Sequence, residues 1–541
     1  MRLLCGPLFL MIAILSPRLT FAQADHHTSP ENLGKVNFAT SCSKAVQPQF
    51  DRAVALMHSF QFARDIEAFN AILAIDPSCA MADWGIALSN WGNPFAAGQK
   101  TQAQLDKGLK AIEHSRATGA KTERERAYIE AVAHLFTATA TTDQRARVLA
   151  YENAMAAVSA AYPDDTEAAI FYALALAAAA DPADKTYARQ LKAGAMLEKL
   201  FVQYPDHPGL AHYIIHTYDF PPLAARAVGA ARRYHEIAPS APHALHMPSH
   251  TFTRVGYWQD SIDANKAAAA AARGEGQTAE ELHASDYMVY AYLQTAQDRA
   301  TQRLLESSVE TFSRLDPAVV LSGAAPPSAA YFARAAIPAR YCLERRAWAD
   351  AARLDPLPSP FPPADAITYF ARGLGAAHVK DGATARSAIG SLEQIRDKLK
   401  MKEGYWANQV EIQRQEVSAW LAFAEGDPKA ALAGMRAAAE LEDGTEKNAI
   451  TPGPLAPARE LLGELLLELK RPAEALKEFE ATLTREPNRF RSLYGAAQAA
   501  KLAGNRQAAQ KYFRELLKVA ERADSPGRQE LVEARSEVRQ Q

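Results

Sequence analysis

The sequence contains few of the motifs that usually identify an enzyme class. Its 541 residues include only 4 cysteines, and none of these forms a C-x-x-C pair. It also lacks the G-x-S-x-G, Walker and G-x-G-x-x-G motifs. These absences exclude the common signatures of thiol oxidoreductases, serine hydrolases, P-loop nucleotidases and dinucleotide-dependent enzymes. No catalytic residue can therefore be assigned from a motif.

Charge of one sign and long apolar runs are also scarce. The formal net charge is −2, and no basic stripe is visible along the chain. A near-neutral chain of this kind lacks an electrostatic footprint for nucleic acid, so we expect no nucleic-acid partner. Beyond the N-terminus no segment reaches about 18 consecutive apolar residues, so we expect no integral membrane segment.

The N-terminus has the three parts of an export signal. Arg2 supplies positive charge, LLCGPLFLMIAIL is an apolar run too short to span a bilayer, and A-Q-A at residues 22–24 forms a cleavage site. We therefore predict a signal peptide at residues 1–24. The mature protein is expected to be exported, either periplasmic or secreted.

Helix-forming residues, by contrast, are abundant. Hydrophobic residues make up 48% of the chain and charged residues 23%, which allows a large core, and alanine is very common. Near the N-terminus, apolar residues recur at spacings of three and four, which is typical of one helix face. The residues on that face are Phe62, Ile66, Phe69, Ile72 and Ile75. The chain is therefore predicted to be all-α.

The helical pattern repeats every 34 residues and resembles the tetratricopeptide repeat (TPR), a helix–turn–helix unit of that length. The match is best near the C-terminus, at Gly463, Ala475, Phe479 and Pro487, and Ala509 and Phe513 follow two of these by 34 residues. The resemblance implies a TPR-like α-solenoid of antiparallel helix pairs. Such pairs form a right-handed superhelix with a concave groove lined by the first helices.

Composition and the strength of the repeat divide the chain into regions. The C-terminal repeats match the TPR pattern well, whereas the middle is more degenerate and contains proline-rich loops. The predicted regions are the signal peptide (1–24), a flexible N-terminal segment (25–46), N-terminal TPR-like repeats with a histidine-rich groove (47–315), degenerate helical repeats (316–450), C-terminal TPR repeats (451–523) and a charged tail (524–541).

The densest chemical feature lies at residues 204–256, which hold seven of the 14 histidines. This block contains a repeat of its own. Pro205, Pro208, His212 and His216 recur 34 residues later as Pro239, Pro242, His246 and His250. His243 shares a helix face with the second histidine pair because the spacings are three and four. In TPR proteins generally the corresponding positions face the groove, so the resemblance implies that these side chains do so here.

The next predicted first helix extends the patch. His283, Asp286, Tyr287 and Tyr290 are spaced as i, i+3, i+4 and i+7, which places them on one helix face. His58 is a further groove candidate, but it is expected to lie far along the stack. The H-x-x-H-M-P-S-H block at residues 243–250 resembles that of exported bacterial TPR proteins, a resemblance that brings no settled activity.

Three interpretations of the histidine patch remain open. The first is a transition-metal site for copper, zinc or iron at His212, His216, His246 and His250, since paired imidazoles suit these ions. The second is a polar groove for an organic or peptide ligand, and the third is structural packing. The groove candidates are His243, Arg254, His283, Asp286, Tyr287 and Tyr290. H-Y-I-I-H lacks the glutamate of H-E-x-x-H, so a zinc-protease mechanism is not supported.

The cysteines that would remain after cleavage are Cys42, Cys79 and Cys342. An oxidising compartment permits one disulfide and leaves one thiol. Cys42 and Cys79 each lie just before, or at the start of, a predicted repeat's first helix, and adjacent repeats bring those ends together. We therefore predict a Cys42–Cys79 disulfide. The alternative is three buried free cysteines.

Two functions follow from these features. The first is an exported, non-catalytic TPR scaffold that binds a protein or small-molecule ligand in its groove, a hypothesis that rests on analogy with the fold. The second is a metal-dependent enzyme or metal-handling protein that uses the histidine cluster. TPR proteins are mostly interaction modules, so the resemblance favours the first.

Overall fold

Proline and glycine divide the chain into helices that pair with their neighbours. The computed structural model describes residues 31–96, 98–319, 323–401 and 403–539, in which 26 α-helices and two short 3-10 helices occur without any strand. The predicted signal peptide at 1–24 lies outside the described residues. Consecutive helices pack against each other throughout, and the fold is an all-α, TPR-like α-solenoid, as the sequence predicted.

The first third of the described chain holds nine α-helices. They are α1 (Gln47–His58), α2 (Phe62–Ile75), α3 (Ala80–Trp91), α4 (Gln102–Thr118), α5 (Glu123–Phe136), α6 (Gln144–Ala161), α7 (Thr166–Ala178), α8 (Ala188–Gln203) and α9 (Pro208–Thr217). A 3-10 helix at Lys44–Val46 precedes α1.

The middle third includes the histidine block. After a 3-10 helix at Ala224–Ala227, its helices are α10 (Val228–Ile237), α11 (Pro242–His246), α12 (Pro248–Arg254), α13 (Trp258–Gly274), α14 (Thr278–Gln294), α15 (Asp298–Ser313), α16 (Pro327–Glu344) and α17 (Trp348–Ala351).

The final third completes the solenoid. Its helices are α18 (Pro362–His378), α19 (Gly382–Lys400), α20 (Gly404–Ala424), α21 (Pro428–Asp443), α22 (Ala458–Glu468), α23 (Pro472–Arg485), α24 (Phe490–Leu502), α25 (Arg506–Val519) and α26 (Gln529–Arg539). None of the helices in the described ranges combines the length and apolar character needed to cross a membrane.

The first helices of successive pairs form an inner layer. Helix α14 contacts α16, which contacts α18, and the series continues through α20, α22 and α24. The array curves far enough that α24 contacts α14 again, and α1 likewise contacts α9. Side chains far apart in sequence therefore meet on the inner face.

Pro248 divides the helix that carries the second histidine pair. The helical segment at 242–254 is made of α11 and α12, which meet at Met247. Proline lacks the N–H that would continue the helical hydrogen-bond series, and its ring displaces the preceding turn. His243 and His246 consequently lie on α11 and His250 on α12, while Met247 is buried in the apolar core.

The segment between α21 and α22, residues 444–457, runs across the inner face and covers the histidine patch. The hydroxyl of Tyr287 lies 3.2 Å from the carbonyl oxygens of both Ala449 and Thr451. The guanidinium of Arg340 donates to the carbonyl oxygens of Gly453 and Pro454, each at 3.1 Å. The expected open groove is therefore filled at this point, because buried donors of α14 and α16 hold the segment in place.

Both ends of the described chain are packed. The described part of the segment expected to be flexible, residues 31–46, buries Leu33 and Phe38, and the Phe38 ring stacks on Trp84 at 5.3 Å. Residues 31–46 are therefore packed against the first helices through these two apolar side chains. Near the C-terminus, α26 buries Leu531 and Ala534, so the charged tail is a packed helix.

Cys42 and Cys79 form a disulfide whose Cα atoms are 4.8 Å apart. Cys42 precedes the first 3-10 helix and Cys79 is the residue before α3. Cys342, on α16, is buried with a free thiol. The disulfide fixes the N-terminal segment to the start of α3.

Candidate metal centre

Six histidines of the inner face form two adjacent triads. The first consists of His212, His216 and His243, and the second of His246, His250 and His283. Within each triad one ring nitrogen from every histidine lies within 4.8 Å of the others. All six side chains are buried, and the most exposed, His283, has only 6% of its surface accessible.

This grouping differs from the predicted one. The sequence repeat paired His212 and His216 with His246 and His250 as one four-histidine set. The structure divides that set, because His243 at the start of α11 joins the pair on α9, whereas His246 and His250 lie with His283 of α14. His243 and His283, expected only as groove residues, are each the third member of a triad.

The first triad contains imidazole nitrogens that no protein group satisfies. His212 Nδ1 lies 2.6 Å from the carbonyl oxygen of His58. A carbonyl only accepts hydrogen bonds, so the proton of His212 is on Nδ1 and its Nε2 carries a lone pair. The buried nitrogens without a hydrogen-bond partner in this triad are His212 Nε2, His216 Nε2 and both ring nitrogens of His243.

Apolar and aromatic neighbours fix the rings of the first triad. His216 stacks on Phe95, with ring centroids 4.4 Å apart and planes 14° from parallel. His243 is stacked on Phe60, with centroids 5.7 Å apart. Its Nδ1 lies 3.6 Å from Glu280, a buried carboxylate that also accepts from the backbone N–H groups of Ala324 and Ala325. The rings are thus held in place before any ligand binds.

In the second triad each of two histidines has a polar partner on its outer side. His246 Nδ1 lies 2.6 Å from Asn265 Oδ1, and the amide nitrogen of Asn265 donates to the Ser261 carbonyl at 2.8 Å. His250 Nδ1 lies 3.0 Å from Asp219 Oδ2. These acceptors place the protons of both rings on Nδ1. Hydrogen bonds of this kind orient metal-ligating histidines.

The consequence is a close approach of two lone pairs. His246 Nε2 and His250 Nε2 lie 3.1 Å apart, and both point inward. With their protons on Nδ1, neither nitrogen can donate to the other, so the contact is repulsive unless a cation lies between them. Two ligands of one ion, with bonds of about 2.0–2.1 Å, would be separated by a similar distance.

Burial keeps these imidazoles in the form that binds metals. It lowers the pKa values of His212, His216, His246 and His283 well below the usual value for histidine. Burial also lowers the pKa of His250, to about 3, against the opposing effect of Asp219. These rings are therefore neutral at physiological pH, as metal coordination requires.

Asp219 remains charged despite being buried. Its carboxylate accepts from Lys447 Nζ at 2.9 Å and from Arg254 Nε at 2.9 Å. Burial by itself would raise the pKa of Asp219, but these two cations hold the pKa well below its usual range. The carboxylate therefore faces His250 as an anion.

Other predicted groove residues have different partners. Arg254 is buried in the ion pair with Asp219 and cannot take an anion from solution. Asp286 pairs with Arg340 at 2.8 Å, with both side chains almost fully buried. Tyr290 lies between Arg489 and Glu486, at 3.1 and 3.3 Å. Tyr287 alone stays with the histidines, its hydroxyl 3.3 Å from His250 Nδ1. The helix spacing was correct, but it could not show which buried charges lie opposite.

A third histidine cluster lies beside the first triad. His58 Nε2 and His207 Nε2 each lie 2.9 Å from an oxygen of Glu167, and His58 Nδ1 lies 2.9 Å from the Tyr213 hydroxyl. Hydrogen bonds to Glu167 and Tyr213 account for these three nitrogens and leave only His207 Nδ1 without a partner, so we assign no ion here. His58 was expected far along the stack. The curvature that brings α1 against α9 places it next to His212 instead.

Several residues that organise the centre carried no sequence signal. Asp219, Asn265 and Glu280 occupy no repeated position, and each reaches the histidines from a different helix or loop. Asn265 sits on α13, the outer helix of its pair, where the repeat pattern predicts packing. A polar residue on its apolar face was the only available hint.

Comparisons with known proteins give no closer identity. No protein-family model matches the chain, and no curated protein matches it in sequence. Similar solved structures include a human IFIT1 dimer with m7Gppp-AAAA (12% identity, TM-score 0.38, covering 82% of this chain and 90% of that one). Others are yeast Tom70 (11%, 0.31, covering 91% and 88%) and the APC/C hetero-tetramer Cut9-Hcn1 (13%, 0.35, covering 91% and 89%). TM-scores below 0.5 carry no argument about function.

Proposed function

We propose that this chain is a transition-metal protein whose two histidine triads each bind one ion. The observation that carries the proposal is the set of buried, unpartnered ring nitrogens of His212, His216 and His243. Leaving a buried acceptor unsatisfied costs about 1–3 kcal/mol, and such groups usually have a ligand or a functional reason. Copper, zinc and iron all accept imidazole ligands, so the three imidazoles of each triad do not distinguish these metals.

The outer hydrogen bonds support the same proposal. His212, His246 and His250 each direct Nδ1 to a carbonyl, amide or carboxylate oxygen. This leaves Nε2 of each ring free as a ligand. Three protein ligands per ion would leave a further coordination position, as in catalytic metal sites, so the centre suits chemistry as well as storage.

The test is a metal titration of untagged protein. Zn(II) or Cu(II) should bind at two equivalents and raise the melting temperature, since a ligand that binds only the folded state stabilises it by about 2.7 kcal/mol at 100 times Kd. His216→Phe keeps the stack on Phe95 and should lose one equivalent. His235→Ala, at an exposed position on α10, is the matched control and should bind two. An unchanged melting temperature with every metal would overturn the proposal.

We also propose that the protein is exported. The predicted signal peptide and the Cys42–Cys79 disulfide support this, because disulfides persist in oxidising compartments. N-terminal sequencing of protein from the native host should give a start near residue 25. A mature protein that begins at Met1 would contradict export.

A second candidate function is partner binding, at a different part of the inner face. The C-terminal half has an open cleft of ≈ 1200 Å³, where the Trp348 and His378 rings stack with centroids 3.8 Å apart and the Trp420 ring lies 4.1 Å from His378. The buried Trp420 Nε1 and Arg528 Nη1 have no acceptor in the protein. A protein segment with an aromatic side chain and carboxylates would satisfy both features.

Partner binding can be tested separately from metal binding. Trp420→Phe keeps the ring and removes only the indole N–H. It should weaken binding of acidic, aromatic peptides from an array by about tenfold, the effect of losing one buried hydrogen bond of about 1.4 kcal/mol. Trp348→Phe is the control, because its indole is not among the unpartnered donors. Equal binding by both variants and the parent would exclude this site.

A further inference from the structure

The two triads open onto one small cavity. Its walls include His216 and His243 from the first triad and His250 and His283 from the second. Rings of different triads lie no farther apart than rings within one: the His216–His250 and His243–His246 centroid distances are 6.0 and 5.9 Å, whereas His250–His283 is 6.1 Å. Ions held by the two triads would therefore be neighbours facing the same space.

The cavity limits what can enter. Its volume is ≈ 40 Å³, and one water needs roughly 10–15 Å³, so it admits a ligand of about three non-hydrogen atoms. Small side chains, including Ala325, Ala329 and Ala449, form part of the wall. A peptide, a sugar or an aromatic substrate does not fit.

The walls also lack a protein group to join the two ions. Apart from the four histidines, none of the lining residues that the structure describes carries an ionisable side chain. Two carboxylates lie behind the rings. Lys447 and Arg254 hold that of Asp219, and the Ala324 and Ala325 N–H groups hold that of Glu280. Metal-bound imidazoles are neutral and both carboxylates lie behind the rings, so no described side chain in the cavity wall offsets the charge of two ions directly. A small anion from solution would supply both the bridge and the charge.

From these observations, and given the metal binding proposed above, we propose that the two triads form one dinuclear centre. Its ligand is a single small bridging anion of the hydroxide, peroxide or azide class, bound in the shared cavity. Paired metal ions that share an oxygen ligand in this way stabilise charge on it from both sides.

The test uses azide and the Cu(II)-loaded full chain. The pair should bind one azide per two copper ions, and coupling of the two spins through the bridge should remove most of the Cu(II) electron paramagnetic resonance signal. His283→Phe should bind one copper with a full signal, and its azide affinity should fall at least about tenfold, since one of the two bonds to azide is lost.

A cavity-filling variant keeps all six histidines. Ala449→Leu, on the covering segment, should retain two copper ions yet bind azide at least about tenfold more weakly, because overpacking excludes the ligand. Ala267→Leu, at an exposed position of α13, is the matched control and should behave as the parent.

The failures of the two proposals are distinguishable. Two bound copper ions with independent, full signals and two azides per pair would overturn the dinuclear centre and leave metal binding intact. Azide binding by Ala449→Leu as tight as that of the parent would overturn the dinuclear centre in the same way. Absence of bound copper would overturn both.

Discussion

His212 Nδ1 lies 2.6 Å from the carbonyl oxygen of His58, although 154 residues separate them. The contact fixes the tautomer of His212 and directs its Nε2 into the first triad. It exists because α1 packs against α9 where the solenoid curves. A backbone group of the first repeat thus orients the imidazole of a histidine in a repeat much farther along the chain.

Replacing Asn265 should affect one site only. In Asn265→Ala, His246 Nδ1 loses its acceptor and the ring loses its preferred tautomer. We expect metal affinity at the second triad to fall by about 10–100-fold, the usual cost of removing an outer hydrogen bond, while the first triad is unchanged. Competition with a chelator of known affinity measures both sites. Ser261→Ala, which keeps Asn265, is the control, and equal weakening of both sites would contradict the assignment.

Displacing the covering segment should open the centre. A side chain at Gly453 would place Cβ only 2.8 Å from the Tyr290 hydroxyl, which Arg489 and Glu486 hold in position. Overpacking of this kind costs about 1–3 kcal/mol, so Gly453→Val should release bound metal to a chelator roughly tenfold faster.

Stopped-flow absorbance with a coloured chelator measures this rate. Gly444→Ala serves as the control, because its Cβ would have its nearest contact at 3.4 Å. Identical release from Gly453→Val and the parent would show that the segment does not limit access.

The disulfide should contribute substantially to stability. Cys42 and Cys79 are separated by 37 residues, and closing a loop of that length in the unfolded chain corresponds to about 4 kcal/mol. The Cys42→Ser/Cys79→Ser variant should lose most of this free energy of unfolding in urea denaturation at neutral pH. Cys342→Ser is the comparison variant, because Cys342 lies outside the disulfide. A double variant as stable as the parent would contradict a structural disulfide.

A histidine outside the triads should make the protein sensitive to acid. His378 stacks on Trp348, and burial lowers its pKa to about 3. As the pH falls below about 6.5, the His378 imidazole is protonated in the unfolded chain but stays neutral in the folded chain. The contribution of neutral His378 to the free energy of unfolding is fully present above that pH. It is lost between about pH 6.5 and pH 3, by up to about 1.4 kcal/mol per pH unit.

His378→Phe preserves the stack and removes the titration. Its free energy of unfolding should fall less between pH 6.5 and pH 5 than that of the parent, by roughly 2 kcal/mol. Denaturant unfolding at several pH values measures the difference. Parallel pH profiles for the two proteins would show that His378 does not titrate as inferred.

The sequence predicts the helices and the histidine positions because both follow a local period. Prolines at the starts of α9, α11 and α12 fix where helices begin, and spacings of three and four place the histidines on inner faces. The 34-residue offset and the helix-face spacings therefore identified all six histidines of the two triads, including His243 and His283 as groove residues.

The grouping of those histidines could not be predicted in the same way. It depends on the short helix α11, whose two histidines join different triads: His243 joins the pair on α9, and His246 joins His250 and His283. Partners such as Asp219 and Asn265 depend on how outer helices and loops cross the inner face. The segment at 444–457 reaches the centre only because the solenoid closes on itself, which no local period encodes.

The most direct measurement is anomalous diffraction from crystals of the full chain grown with Zn(II), recorded at the zinc absorption edge. Two peaks are predicted. One should lie about 2.0–2.1 Å from nitrogens of His212, His216 and His243, and the other at the same distance from His246, His250 and His283. Zinc bound only at surface histidines, or no peak within either triad, would contradict metal binding by the triads.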